Sequence, residues 1–538
     1  MRRYSLIFVL LLLSLAVGEE KIPTVSAENL SKSTISIEAD YVNYAGENQY
    51  VKASGNVVVV RGNSKYNANS TTVNFEQKNM QITDGFTFER GNQRVYGTAM
   101  DYDYGRNIGK GQDVNMMLHN NRIKGKNVLI NDDVIIIDDA SQTTCPYGDN
   151  PCNHVTSKRL TIYPEWGDVV NDHSVIYFYF VPIMYVPNNV SDMSGGMSSM
   201  FSAIPQLGYN QVEGNFAKSG FSYYVNEKLT GTVDMHYLEN YGLRSGFTNN
   251  YKLDQANRGQ VRLHYLMGED AGFSYGLQHR TLLGVPHRDR TQIIDDFFAG
   301  IMPPSNSTYP EFVLDAAHRE MSDYQFISYL PKASLFLPHY NVFNTGIKYT
   351  FTAFAADILE EDIWYPLYSQ TREEFTDDME AHKREYIQQN WEGSIYRNFN
   401  LDWAGTLTPG AIYSNSAYYD KSSNRLDGNW TRLMYYANYR KQLSIFDFSA
   451  GYKYTPDESG VSRFSGETFK AGTAEENNIG LGVQVLPWLK LNYMQYYSIT
   501  EHEMREKTYG GELTVCHWLI TYSWSDYYQQ STFGIRLL

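Results

Sequence analysis

The sequence predicts an all-β protein in two parts: a stacked or jelly-roll β domain, then a large C-terminal transmembrane antiparallel β-barrel. Three observations carry this. Between Ile35 and Ile137 a glycine followed by a short apolar strand recurs about every dozen residues. From Phe201 to the C-terminus apolar and polar residues alternate, the period of a strand with two unlike faces. The chain of 538 residues carries 45 Tyr and 41 Gly and is 15% aromatic. That composition suits outer-membrane barrels, which wear aromatic girdles at both interfaces.

The first residues read as an export signal. Arg2 and Arg3 form a basic start, Leu6 to Val17 is apolar apart from Ser14, and Ala16-Val17-Gly18 supplies small residues for cleavage. The apolar run falls short of the ~20 residues a spanning helix needs. Residues 1–18 are therefore expected to be a signal peptide, and 19–34 a flexible lead-in. A net charge of -15 without a basic cluster argues against nucleic acid, whose affinity rests on phosphate contacts. Mean hydropathy is -0.45, and no later stretch approaches a membrane helix. A barrel is the membrane protein that escapes hydropathy, because lipid-facing and lumen-facing residues alternate.

In the first part the strand period shows in Met100-x-Tyr102-x-Tyr104 and Val114-x-Met116-x-Leu118, with Gly55, Gly85, Gly97, Gly111 and Gly125 opening successive repeats. No helical spacing is visible there. The junction, from Asp138 to Met200, holds Cys145, Cys152 and the apolar segment Val175 to Pro187. Its Pro182 and Pro187 cannot donate to a ladder and belong at edges or breaks.

In the second part Val233, Met235 and Tyr237 fall on one face and Asp234 and His236 on the other. Val261, Leu263, Tyr265 and Met267 alternate with Arg262 and His264, and the pattern returns at Leu433 to Arg440 and Leu489 to Tyr497. No helix is expected to interrupt it. Pro286 to Glu311 and the charged stretch Glu360 to Tyr386 break the alternation and are loop candidates of the kind barrels extend outside the cell. The second reads as a solvated loop; its carboxylates spell out no cation-ligand loop.

Chemistry-bearing motifs are weak. Gly272-Phe-Ser-Tyr-Gly276 matches a nucleophile elbow but lies in an alternating strand with no helix after it. Cys145, Cys152 and His154 could be zinc ligands, but exported thiols oxidise and zinc cysteines sit closer together, so a disulfide is favoured. The residues themselves leave three pairings open among Cys145, Cys152 and Cys516. No catalytic residue, metal or cofactor is expected, and the chain is not expected to be an enzyme.

Several segments resemble the outer-membrane LPS-assembly protein family LptD, also called organic solvent tolerance protein. The repeats of 35–140 resemble its LptA-like (OstA) β-jelly roll. Ala140-Ser-Gln-Thr-Thr-Cys-Pro-Tyr-Gly-Asp149 resembles its T-T-C-x-x-G-D junction, and Val181-Pro-Ile-Met-Tyr-Val-Pro187 its V-P-[VI]-F-Y-x-P segment. Tyr223-Tyr224 with Tyr241-Gly-Leu-Arg-Ser-Gly246 resembles the start of its barrel, and Cys516-His-Trp518 its late cysteine strand. The chain is short for the family, lacks the N-terminal cysteine and has one late cysteine.

The resemblance implies a periplasmic LptA/OstA-like jelly roll at 35–180 and an outer-membrane barrel of about 20–26 strands at 181–538. It implies a Gram-negative outer-membrane location with the N-terminal domain in the periplasm. The implied partners are lipopolysaccharide, an LptA-like bridge protein, an LptE-like plug lipoprotein and outer-membrane lipids. The implied route runs through a groove lined by Val58, Val60, Phe75, Phe86, Phe88, Met100, Tyr102, Val114, Met116, Val128 and Ile130. It ends at a lateral gate between first and last strands, near Pro182, Pro187, Pro205, Phe533 and Leu537. The disulfide carried over is Cys145 with Cys516, with Cys152 as alternative partner. The competing reading is an outer-membrane porin or barrel enzyme with a periplasmic β domain.

Overall fold

A computed structural model describes residues 35–537 apart from 47–48, 92, 119–120, 132, 146–150, 193–203, 269–270, 323–324, 344, 363–382, 465–466, 468–470, 517 and 528. The expected signal peptide and lead-in lie outside the described residues. So does most of the charged stretch 360–386, whose described ends belong to strands Ile347–Asp362 and Lys383–Arg397.

The all-β expectation holds. A first sheet of fourteen strands runs from Ile35–Glu38 beside Tyr50–Arg61 to Val181–Asp192 beside Asp168–Phe178. The sheet thus continues past residue 180 to Asp192. A closed antiparallel barrel follows, from Gln206–Asn210 to Gln530–Leu537. By packing, the described residues form two compact units. One runs to Ser141 and includes Gly284–Met302; the other holds Gln142–Leu283 and Pro303–Leu538.

In the first unit, alternate residues turn inward. Val57, Val59, Tyr66, Phe86, Phe88, Met100, Val114, Met116 and Val128 are buried. Gly97 is needed for this packing: a Cβ there would lie 2.4 Å from the Phe86 ring.

The stretch expected as a loop contains a helix, Arg290–Ala299, a correction to the helix-free reading. Asp289 accepts from the Gln292 backbone N–H while the Gln292 side chain accepts from the Asp289 backbone N–H, a capping box. Gly300 closes the other end in the left-handed region. The helix buries Ile293, Ile294, Phe297 and Phe298, which recur at one-turn spacing. Its ring Phe298 meets Phe88 edge-on at 5.9 Å, and Asp295 accepts from Arg90 at 2.6 and 2.8 Å. Asp289, Gln292 and Gly300 were the sequence signal; proline content masked it.

The barrel has 18 strands, counting Lys383–Arg397 and Phe399–Asn400 as one. That is below the expected 20 to 26, because many strands are long. Leu426–Leu443 has 18 residues and Gln325–Asn341 has 17, against roughly 9–11 needed to cross a bilayer. The register places Val233, Phe247, Leu263 and Tyr275 in one outward row, and Asp234, Gly246, His264 and Ser274 in the adjacent inward row. Ser274 of the G-x-S-x-G match is thus a mid-strand residue. Two-residue turns at 227–228, 444–445 and 487–488 mark one end of the barrel. Strands Gly272–Leu282 and Glu311–Ser322 are joined at that same end, so the segment between them is not one of the long loops of the far end.

Candidate functional site

The first unit encloses a small apolar cavity of about 30 Å³. Tyr66, Phe86, Phe88, Val95, Met100, Tyr102, Val128 and Ile130 line it, with Arg90, Asn107, Lys110 and Asn131 at its polar margin. Such a volume holds about two waters. Burial raises the Tyr66 phenol well above its usual range, with the neighbouring Tyr102 adding to it. The Tyr102 hydroxyl donates to Asn107 at 2.6 Å and also accepts from Arg61.

Of the groove candidates, Phe86, Phe88, Met100, Tyr102, Val128 and Ile130 meet at this cavity. Val114 and Met116 are buried without lining it. Val60 and Phe75 are each 38% exposed, and Val58 is only half-buried. The inward pair is instead Val57 and Val59. In the unbroken run Val57 to Val60 alternation has no readable phase; pairing of Val59 with Tyr66 sets it. Phe75 lies in the turn after Ser64–Asn74, outside any alternation. Tyr66 and Val95 were missed, although each lies in a strand of alternating pattern.

The barrel closes through a short seam. Among the described residues, Gln206–Asn210 pairs with Gln530–Leu537 at Leu207–Phe533, Gly208–Thr532 and Tyr209–Ser531 alone. Strand Gln206–Asn210 shares five pairs with Gly214–Asn226 on its other side, and neighbours elsewhere, such as Thr508–Val515 with Trp518–Ser525, share eight or more. Each antiparallel pair contributes ladder hydrogen bonds, so this junction is the cheapest to part. Phe533 lies in the seam, and Leu537 pairs with Trp518. Pro205 directly precedes the first barrel strand. Pro182 and Pro187 do not: they stand in strand Val181–Asp192 of the first sheet, a correction to the gate set. Their missing N–H groups fall beside irregular pairing at Ile176/Tyr177 and opposite His173.

Within the second unit the hairpin Asp168–Phe178 and Val181–Asp192 packs on the barrel. Val155, Ile176 and Val186 form a buried cluster with Trp518, flanked by Ile204 and Ile535. At the hairpin's polar base Lys252 pairs with Asp168, and Ser222 donates to Asn189 at 2.9 Å. The disulfide joins Cys152 to Cys516, with Cα atoms 5.8 Å apart. This replaces the Cys145–Cys516 pairing carried over by resemblance. Cys152 opens strand Asn153–Tyr163 at bonding distance from Cys516. Cys145, two residues beyond Ile135–Thr143, is buried and free, its N–H donating to Thr143 Oγ1 at 3.0 Å.

These features define a class: an outer-membrane β-barrel protein preceded by an N-terminal β sheet, with a disulfide between Cys152 and Cys516 inside the barrel-bearing unit. No protein-family model matches the chain. By sequence the chain is similar to curated proteins named LPS-assembly protein LptD. It is 23% identical over 401 residues to the LPS-assembly protein LptD of Idiomarina loihiensis, covering 70% of this chain and 51% of that one. It is 26% identical over 278 residues to that of Nitrosomonas eutropha, covering 48% and 37%. The chain thus spans about half or less of the length of the curated relatives it matches. Among solved structures it is similar to LptH, the LptA-homologous periplasmic component from Pseudomonas aeruginosa. There identity is 17% and the TM-score 0.18, over 19% of this chain and 78% of that one.

Proposed function

We propose that this chain assembles lipopolysaccharide into the outer leaflet of a Gram-negative outer membrane. The N-terminal β domain stands in the periplasm and receives the lipid from an LptA-like bridge protein. The acyl chains travel along the interior around Phe86, Phe88, Met100 and Tyr102, and the glycan passes through the polar barrel lumen. The lipid leaves sideways where Leu207 meets Phe533. An LptE-like lipoprotein plugs the lumen. The names of the relatives support this reading, and the three-pair seam is the observation that carries it: a porin gains nothing from a weak wall.

The physical need is plain. Each exposed methylene costs about 0.8 kcal/mol, so several acyl chains require a continuous apolar path. The present cavity is far too small for one chain. The helix Arg290–Ala299 packs on Phe88, a cavity residue, so loading displaces the helix or parts the sheet.

The test is in-cell photo-crosslinking from a probe at Phe86, with immunoblotting for lipopolysaccharide. An adduct is expected. Its absence at Phe86, Phe88 and Met100 alike, in well-expressed protein with Cys152 bonded to Cys516, would overturn transport through this domain.

A further inference from the structure

The hairpin Asp168–Phe178 and Val181–Asp192 is graded from polar to apolar along its length. At its base Asp168 faces Asp192, Asn171 faces Asn189 and Asp172 faces Asn188. From Val175 to Pro187 it carries no charged residue. There Val175 faces Tyr185, Ile176 faces Met184 and Phe178 faces Val181.

One face of this tip is accounted for. Ile176 and Val186 pack on Trp518 and Ile535. Trp518 shares its side of the sheet with Ile520 and Tyr522, and Ile535 with Phe533. The opposite side, with Thr521 and Ser523 beside Glu512 and Gly510, faces the lumen. Trp518 and Ile535 therefore belong to the outward, lipid-side face of the last two strands, at the short-turn end. The hairpin tip therefore lies on the outward side of the last two strands, while its base meets Ser222 and Lys252, which face the lumen, so the hairpin crosses the short-turn rim of the barrel.

The other face is uncovered. Phe180 is 86% exposed, and Tyr179, Val181, Ile183 and Tyr185 are each about half exposed. Water does not favour such a contiguous apolar patch. We infer that this tip, Tyr179-Phe180-Val181 with Ile183 and Tyr185, enters the headgroup–acyl boundary of the periplasm-facing leaflet beside the seam. Three things select lipid over a protein partner. The tip is seated on Trp518 and Ile535, which share the outward side of their strands with Tyr522 and Phe533. It is built of aromatic and aliphatic side chains without charge, with tyrosines of the kind found at membrane interfaces. The polar base then stays in water, as for other interfacial amphipathic elements.

The inference rests on the barrel crossing a membrane, not on the identity of its cargo. It is tested by spin-labelling F180C in a C145S background, in nanodiscs of phosphatidylethanolamine and phosphatidylglycerol. Collision with oxygen, which partitions into lipid, is compared with collision with a water-soluble nickel chelate. F221C on the outward barrel face serves as the lipid reference, and K158C on the first sheet as the water reference. An oxygen-to-nickel ratio at 180 matching that at 221 is expected. A ratio matching 158 while 221 reads as lipid overturns the inference and leaves the barrel intact. Shielding from both reagents overturns it too, because protein then covers the tip. I183C reads the same face should F180C fail to insert.

Discussion

The sulfur of Cys145 lies 3.4 Å from that of Cys152, which is itself bonded to Cys516. A free thiol thus stands at the edge of a long-range disulfide, with a short-range partner in reach. The bond in place closes 364 residues of chain, for which the loop-entropy model assigns about 5–6 kcal/mol.

Replacing Cys516 by Ser should let Cys145 and Cys152 pair with each other, seven residues apart. Peptide mapping of the unreduced protein reads this directly. Cys145→Ser should leave the Cys152–Cys516 bond formed. Two free thiols in Cys516→Ser under oxidising conditions would contradict the arrangement.

Helix docking in the first unit rests on apolar packing more than on ion pairs. Phe298→Ala removes a buried ring, a change worth about 3–5 kcal/mol. Arg290→Ala removes a pair with Asp133 whose side chains are 77% and 52% exposed, worth about 0–1 kcal/mol. Protease cleavage between 284 and 302 should rise sharply in the first variant and barely in the second. Gly91→Ala should resemble the first: its φ is 57°, and a Cβ would sit 2.6 Å from the Phe298 carbonyl oxygen.

Three pairs hold the seam, so its amides should exchange first. Hydrogen exchange across Gln206–Asn210 is expected to outrun that of Ile347–Asp362, which is paired along its length on both sides. Equal protection of the two strands would remove the seam as a weak point.

Burial lowers the pKa of His154, which stacks on Tyr177 at 4.6 Å. The unfolded chain, with an ordinary histidine near 6.5, then binds the proton more tightly than the folded one. Stability near strand Asn153–Tyr163 should be full above that value and fall as the pH drops through it. His154→Gln should flatten the dependence between pH 7 and 5, read by hydrogen exchange of that strand.

The local period of the sequence determined much. Val233, Met235 and Tyr237 face outward and Asp234 and His236 inward as their alternation says, because a strand's two faces follow from backbone geometry alone. Phe86, Phe88, Met100 and Tyr102 turn into the first unit for the same reason. Tertiary structure decided the rest. Val57 and Val59 rather than Val58 and Val60 point inward, because phase in an all-valine run comes from the partner strand. Cys152 rather than Cys145 bonds Cys516, because a pairing across 364 residues depends on which strand end arrives there. The helix on Phe88, the three-pair seam and the hairpin against Trp518 are likewise contacts between distant segments, and distance in space leaves no mark on a local pattern.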